Sequence, residues 1–183
     1  MTPSEPALPL HLKDRWRRAI VSVTSAPNDR TPERLLEVVR QFDVEASPRY
    51  QAWPGQTWCN VFVWDVTSAM GAEVPHWVFP DGRPAPVGVG SELNANQVAL
   101  WLSRAQWLGW SATTSELACV AAGLGEPVVL AWRNPAGHGH LAVGLPTPPG
   151  SPLLIAQAGA RNFVGRPYTE GFGKVPVSFY LHA

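Results

Sequence analysis

The sequence is poor in the features that would assign it to several common classes of protein. Only two of its 183 residues are cysteines, which are too few for a disulfide framework. No apolar run is long enough to cross a bilayer, and the first residues lack the apolar core of a signal peptide. The formal net charge is +0, so nothing electrostatic points to nucleic acid or an anionic membrane as partner. We therefore expect a protein that is made in a reducing cytoplasm and does not insert into membranes.

Proline, glycine and tryptophan, by contrast, are abundant. The 19 prolines and 16 glycines indicate many turns and loops. The nine tryptophans exceed what a core of this size needs, so we expect some of them to line a groove. The chain is long enough to bury a sizeable core without disulfide bonds or metal ions to stabilise it. We predict one monomeric domain over residues 1–183, with residues 1–10 flexible.

Helical patterns dominate the first part of the chain. A short basic helix is predicted from Leu12 to about Val23, with Trp16 and Ile20 on its apolar face and its arginines on a solvated face. Further helices are predicted after residues whose side chains commonly cap helix N-termini, namely Thr31, Thr57, Asn94 and Thr113. The last of these helices carries Cys119, which we predict to lie in the core.

The stretch from Tyr50 to Gly71 contains the first candidate for chemistry. Apolar residues recur at helical spacing from Phe62 to Met70, and Gly71 ends the predicted helix. Cys59 then lies in the first turn, where unpaired backbone N–H groups and the helix dipole favour a thiolate. This placement predicts a thiol that ionises readily and acts as a nucleophile. The alternative is that Cys59 is a small buried hydrophobic residue.

The pattern changes to short β-branched or aromatic runs after residue 126. Four strands are predicted, with the sequences PVVLAW, HLAVGLP, PLLIAQAG and VPVSFYLHA. Turn-rich segments separate them, so we predict an antiparallel meander that follows a helical half, which makes an α+β domain. The preceding segment 72–90 has no periodicity, and a loop of that length could form one wall of a binding cleft.

His140 opens the second predicted strand, and His138 precedes it by two residues. Two histidines at this spacing share a face of a strand, so a zinc site is an alternative. Its third ligand would have to come from His76 or Asp81 in the long loop, which disfavours it. We therefore predict no metal and no other cofactor.

Gln157 lies in the next predicted strand, within an otherwise apolar run. Its amide could accept the ring N–H of His140 and hold the tautomer in which the other ring nitrogen faces the thiol. Asn162, a few residues further on, is the competing residue for that role.

The order of these residues resembles the papain-like NlpC/P60 and CHAP peptidoglycan hydrolases. In those families a cysteine begins a helix, a Gly-His pair opens a strand, and a polar residue follows on the next strand. The lead-in YQAWPGQTWCN and the strand GHLAVGL are similar to theirs, and the resemblance covers Tyr50 to Gly159. There are two departures. NlpC/P60 proteins have Asp-Cys-Ser-Gly where this chain has Trp58–Val61, and CHAP proteins usually have a carboxylate or asparagine where this chain has Gln157.

The resemblance implies both a fold and an activity. The fold would be papain-like, an α+β arrangement in which the N-terminal helical half packs on a small antiparallel sheet. The activity would be cysteine-dependent hydrolysis of peptidoglycan peptide stems, as an endopeptidase or an N-acetylmuramoyl-L-alanine amidase. The protein would be a phage-type lysin or a secreted antibacterial effector that acts on the cell wall after release. The alternative is a non-catalytic module on the same fold that binds peptidoglycan or peptides.

The resemblance also implies roles for particular residues. Cys59 would be the nucleophile, His140 the base and Gln157 the residue that orients the ring. The backbone N–H of Cys59 would stabilise the oxyanion. The other oxyanion and substrate candidates are Tyr50, Gln56, Asn60, Asn162 and Trp77. Further tryptophans that could form walls of the cleft are Trp101, Trp107 and Trp110.

Overall fold

A computed structural model describes residues 14–183, so the predicted flexible segment 1–10 lies outside the described residues. The described chain contains eight strands: β1 (Trp77–Val78), β2 (Ser91–Glu92), β3 (Trp110–Thr113), β4 (Val128–Trp132), β5 (His140–Leu145), β6 (Leu154–Gln157), β7 (Phe163–Pro167) and β8 (Ser178–His182). β1 pairs with β2, and the other six form one antiparallel sheet in the order β3-β8-β4-β5-β6-β7.

The same residues form five α-helices: α1 (Pro32–Arg40), α2 (Cys59–Ala69), α3 (Ala95–Leu102), α4 (Ser115–Gly123) and α5 (Tyr168–Phe172). Short 3-10 turns occur at Asp14–Trp16, Pro27–Asp29 and Ala105–Leu108. With helices and an antiparallel sheet in one chain, the protein is α+β, as predicted. No helix within residues 14–183 combines the length and the apolar character needed to cross a membrane.

Helices cover both faces of the sheet. Val129 and Ala131 of β4 pack in the core cluster that contains α2, whereas Val128 and Leu130 pack in the cluster that contains α4. This is the alternation that a strand imposes on its side chains. β4 and β5 are therefore buried on both sides, and the start of α2 packs in the same core cluster as β5.

Two of the four predicted helix caps are confirmed. The Thr31 hydroxyl accepts a hydrogen bond from the backbone of Arg34, and Asn94 forms a capping box with Gln97. The predictions for Thr57 and Thr113 are each wrong by one residue. Trp58 precedes α2 without a side-chain cap, and Thr114 caps α4 because Thr113 still belongs to β3.

The predicted basic helix over residues 12–23 is wrong for the part that the structure describes. Only a single 3-10 turn forms there, and the Arg15 side chain is buried rather than solvated, with the residue 2% exposed. Its guanidinium donates to three backbone carbonyls in segment 48–51 and lies 4.2 Å from the centre of the Trp58 ring. These partners compensate the buried charge in part, since Nη1 of Arg15 is buried without a hydrogen-bond partner. Ile20, predicted to be apolar-facing, is fully exposed.

The predicted sheet is confirmed in part. Its four strands correspond to β4, β5, β6 and β8, and their pairing is antiparallel. The simple meander is wrong because β8 returns between β3 and β4, and the strands β3 and β7 were not predicted. β3 lies at the end of a run that reads as one long helix, which Gly109 interrupts with a φ of 88°. Cys119, predicted to be core, is half-buried.

Candidate active site

The first residue of α2 is Cys59, as the helical pattern predicts to within one turn. The residue is 3% exposed, and the backbone N–H groups of Leu141, Asn60 and Cys59 itself lie near enough to its sulfur to favour the thiolate. Leu141 directly follows His140 in β5. The thiol therefore lies against the start of the strand that carries the candidate base.

The expectation that the Cys59 thiol ionises readily is wrong. Burial raises the pKa of Cys59 to about 11, and the three backbone N–H groups lower it by less than burial raises it. The helix start does supply donors for a thiolate, but burial of the side chain removes most of the water that would solvate the charge. The resting form is the neutral thiol, so a nucleophilic role requires a base that removes the proton during the reaction.

His140 and Gln157 form a hydrogen-bonded pair, as predicted. The ring Nε2 of His140 lies 2.8 Å from the amide Oε1 of Gln157. The amide nitrogen of Gln157 donates to the backbone carbonyl of Arg161 at 2.9 Å, and this bond fixes which end of the amide faces the ring. An amide oxygen can only accept, so Nε2 carries the proton and Nδ1 holds the lone pair of a base.

Close packing holds this pair in place. The Phe172 ring lies 4.9 Å from the His140 ring, centroid to centroid. A Cβ on Gly171 would lie 2.2 Å from the Gln157 amide oxygen, and one on Gly159 would lie 3.2 Å from the His140 ring. Burial lowers the pKa of His140, and the bond to Gln157 opposes that effect only in part. The ring is therefore neutral at neutral pH and available as a base.

A cleft of about 670 Å³ opens at the thiol. Cys59 lines it, as do two of the predicted substrate candidates, Gln56 and Asn60. Gly139, which precedes His140, also lines the cleft, together with His138. His138 is exposed and precedes β5, so it does not share a strand face with His140.

Tyr50 and Asn162 are not among the residues that line the cleft. Tyr50 is buried, and its hydroxyl donates to the Asp65 carboxylate at 2.7 Å, so it cannot serve an oxyanion in the cleft. The Asn162 amide donates to the carbonyls of Val44 and Tyr50 and accepts from the backbone of Gly159. Asn162 thus braces loops behind the site, and Gln157 alone of the two contacts the ring.

The tryptophans that were predicted to form walls of the cleft do not line it. Trp110 is completely buried in the core, and the half-buried Trp77 does not line the cleft. Trp101 and Trp107 line a separate cavity of about 340 Å³. The tryptophans that do line the cleft are Trp16 and Trp58.

His76 lines the cleft together with His138, whereas His140 is not among the lining residues, and the polar contacts of His76 were not predicted. His76 is 2% exposed and stacks on Trp64 with ring centroids 5.2 Å apart. Its Nδ1 lies 3.3 Å from the Asn60 amide nitrogen, and its Nε2 lies 3.0 Å from a carboxylate oxygen of Glu92. The second contact is within ion-pair distance but lacks the geometry of a hydrogen bond. The pairing of β1 with β2 creates this cluster, and those two-residue strands have no sequence signature.

The zinc alternative requires Asp81 or His76 as a third ligand, and both have other partners in the structure. Asp81 pairs with Arg83 at the surface, and His76 contacts Glu92 and Asn60. Within residues 14–183, no three His, Cys, Asp or Glu side chains are grouped to hold a metal ion.

No protein-family model matches the chain, and no curated protein matches it. The residues that surround Cys59 are therefore the basis for assigning a function.

Proposed function

We propose that this protein is a cysteine-dependent amide hydrolase with a papain-like arrangement of Cys59, His140 and Gln157. The observation that carries the proposal is the orientation of the His140 ring. The Arg161 carbonyl fixes the Gln157 amide, the amide oxygen fixes the proton on Nε2, and the remaining nitrogen is an unprotonated base. A general base needs one ring nitrogen whose proton is fixed and a second nitrogen with an available lone pair, and this chain of oriented groups supplies both.

The proposed reaction proceeds in two halves. His140 Nδ1 takes the proton from the Cys59 thiol as the sulfur attacks the carbonyl carbon of the scissile amide. The C–N bond then breaks, the imidazolium gives its proton to the leaving amine, and an acyl-enzyme thioester remains. In the second half His140 removes a proton from water, the hydroxide attacks the thioester, and the thiol leaves with that proton. Because the thiol and the imidazole are both neutral at rest, attack requires general-base catalysis by His140.

The backbone around Cys59 supports stabilisation of the oxyanion. The N–H of Cys59 lies in the first turn of α2, where no intrahelical acceptor is available to it. Gln56 lines the cleft beside Cys59 and is exposed, so its side-chain amide can turn toward the same oxygen. Such donors act where charge develops in the transition state.

The proposed substrate is bacterial peptidoglycan, cut within its peptide stems or at the muramoyl-alanine amide. Two features support it: the similarity of the Cys59 and His140 segments to peptidoglycan hydrolases, and a cleft of about 670 Å³, which is the size of a site that holds several peptide residues. The enzyme would act on the cell wall after release or secretion, as a lysin or an antibacterial effector.

One observation favours a second candidate, a non-catalytic module that binds peptidoglycan or peptides. The Cys59 side chain is almost completely buried, and its pKa is raised, which are properties of an inert core cysteine. A binding module would use the same cleft without bond cleavage. Turnover distinguishes the two candidates, since only the hydrolase releases new amino groups.

The test is digestion of purified sacculi with the wild-type protein, Cys59→Ala and Cys119→Ala. The wild type and Cys119→Ala should release soluble fragments whose masses and new amino ends identify the bond. Cys59→Ala should lose at least about 10³-fold in rate while it unfolds at the same urea concentration as the wild type. Full activity of Cys59→Ala would refute the proposed nucleophile. Binding of sacculi without any release by the wild type would favour the module.

A further inference from the structure

Glu92 gives the cleft a single fixed negative charge. The cleft-lining residues that the structure describes include this one carboxylate and neither lysine nor arginine. Its side chain is 43% exposed, so it is accessible to a ligand. Most other polar side chains at the cleft are neutral amides or hydroxyls, such as Gln56, Thr57 and Asn94. Among the lining side chains, Glu92 is therefore the one that attracts a cationic group.

The carboxylate of Glu92 is held from behind. Trp16 Nε1 donates to Oε1 at 2.8 Å, and His76 Nε2 lies 3.0 Å from the same oxygen. Both of these contacts use Oε1, so Oε2 is left for a ligand. The contact with His76 contributes most to lowering the pKa of the Glu92 carboxyl, and Trp16 adds to it, against the opposing effect of partial burial. Glu92 is thus ionised at neutral pH and fixed in direction.

His76 serves this carboxylate and not the thiol. Its two ring nitrogens face Asn60 and Glu92, and its ring is stacked on Trp64. No nitrogen remains to accept the proton of Cys59. His76 is therefore a positioning residue that keeps Glu92 at the wall of the cleft. Its ring lies between the Glu92 carboxylate and Asn60, the second residue of α2.

We propose that Glu92 binds a primary ammonium group of the substrate. The inference rests on the proposed function and narrows its substrate to peptide stems that carry a free side-chain amine, as a diamino acid supplies. An ammonium group placed at Oε2 would form a charge-assisted hydrogen bond in a partly desolvated cleft. The same stem with its amine acetylated would leave the carboxylate without a partner, which costs binding free energy.

The experiment compares two soluble muropeptides with a lysine-containing stem, one with a free side-chain amine and one acetylated at that amine. The wild type should hydrolyse the free amine with a kcat/KM about tenfold higher. Glu92→Gln should bring the ratio close to one, and Glu92→Lys should lower it below one. Glu73→Gln is the matched control, because Glu73 also accepts an indole N–H, from Trp64 at 2.9 Å, but lies outside the cleft. Its ratio should equal that of the wild type.

The outcomes separate this inference from the proposed function. Equal hydrolysis of both muropeptides by the wild type would overturn the amine site and leave the hydrolase intact. If neither muropeptide is hydrolysed, the proposed function fails, and calorimetric binding to Cys59→Ala still tests the amine site. Binding of the free amine about tenfold tighter than the acetylated compound would support Glu92, and equal binding would refute it.

Discussion

Two buried or half-buried histidines lie close to the cleft, and they differ in how their ring nitrogens are used. His76 lines the cleft, whereas His140 follows the lining residue Gly139 in the chain. On the β5 side, His140 bonds Gln157 through Nε2 and keeps the lone pair of Nδ1. On the β1 side, His76 has neighbours at both nitrogens and a stacked indole over its ring. Both side chains are buried or half-buried. A candidate base is distinguished by one ring nitrogen whose N–H is held in a hydrogen bond and a second ring nitrogen whose lone pair is available.

The partners of the two rings differ in charge as well. The candidate base faces a neutral amide, whereas His76 faces the carboxylate of Glu92. A carboxylate beside His140 would favour the imidazolium and keep the base protonated over more of the pH range. The amide orients the ring without that effect. The negative charge is instead on the side of the cleft where we propose that substrate binds.

The largest expected effect comes from the same substitution at both histidines. His140→Gln removes the base and should lower kcat on sacculi by about 10³-fold. His76→Gln retains a polar side chain and removes no base, so kcat should fall by less than about tenfold. Release of soluble fragments, together with an assay for new amino groups, measures both rates. A comparable loss in the two variants would mean that the distinction between free and engaged nitrogens is mistaken.

Gln157 and Asn162 provide a second, smaller contrast. Gln157→Ala leaves the Nε2–H of His140 without its acceptor in a buried site, which costs about 1–3 kcal/mol and lowers turnover by about tenfold to hundredfold. Asn162→Ala removes hydrogen bonds that brace two loops, so it should lower the free energy of unfolding by about 1–2 kcal/mol while kcat changes little. Urea titration and kcat are measured on both proteins. The assignment would be reversed if Asn162→Ala lost more turnover than Gln157→Ala.

Gly171 tests the position of the Gln157 amide without removing it. A Cβ there would lie 2.2 Å from the amide oxygen, which must move away from His140. Gly171→Ala should therefore lower kcat by up to about tenfold, less than Gln157→Ala, because part of the hydrogen bond can re-form. Gly123→Ala in α4 is the matched control, since a Cβ there meets nothing within 4 Å. That variant should keep full activity. Unchanged activity in Gly171→Ala would show that the amide tolerates displacement.

The residues of the candidate catalytic group were predictable because each follows a local rule. Cys59 begins an apolar-periodic helix, His140 opens a strand after a glycine turn, and Gln157 interrupts an apolar strand. Antiparallel pairing of the consecutive strands β5 and β6 then brings Gln157 to the ring.

The remaining features depend on contacts between distant segments that lack periodicity. Trp16 and Glu92 are 76 residues apart in sequence, and Arg15 is buried by carbonyls of segment 48–51. The pKa of the Cys59 thiol was predicted in the wrong direction for a related reason. The helix start is visible in the sequence, but the burial that outweighs it comes from β5 and from the packing around it.

The smallest expected effect is on the pH dependence of turnover. It tests whether the ring of the base is paired with an amide, as His140 is, or with a carboxylate, as His76 is. Burial lowers the pKa of His140 from its ordinary value of 6.5, and the Gln157 bond raises it by a smaller amount. The neutral ring is the base, so kcat/KM should be level at neutral pH and should fall only as the pH drops well below 6.5. Gln157→Ala removes the raising contribution, so its acid limb should lie at still lower pH, while His76→Gln should keep the wild-type limb.

The free energy of unfolding should also increase with pH in this range. Between pH 6.5 and the lower folded pKa of His140, the unfolded chain binds a proton that the folded chain does not. The contribution of His140 to the free energy of unfolding is therefore complete above pH 6.5 and is lost as the pH falls through that window, which urea titrations of the wild type and His140→Gln can compare. An acid limb at or above pH 6.5 would mean that a carboxylate, and not the Gln157 amide, governs the base.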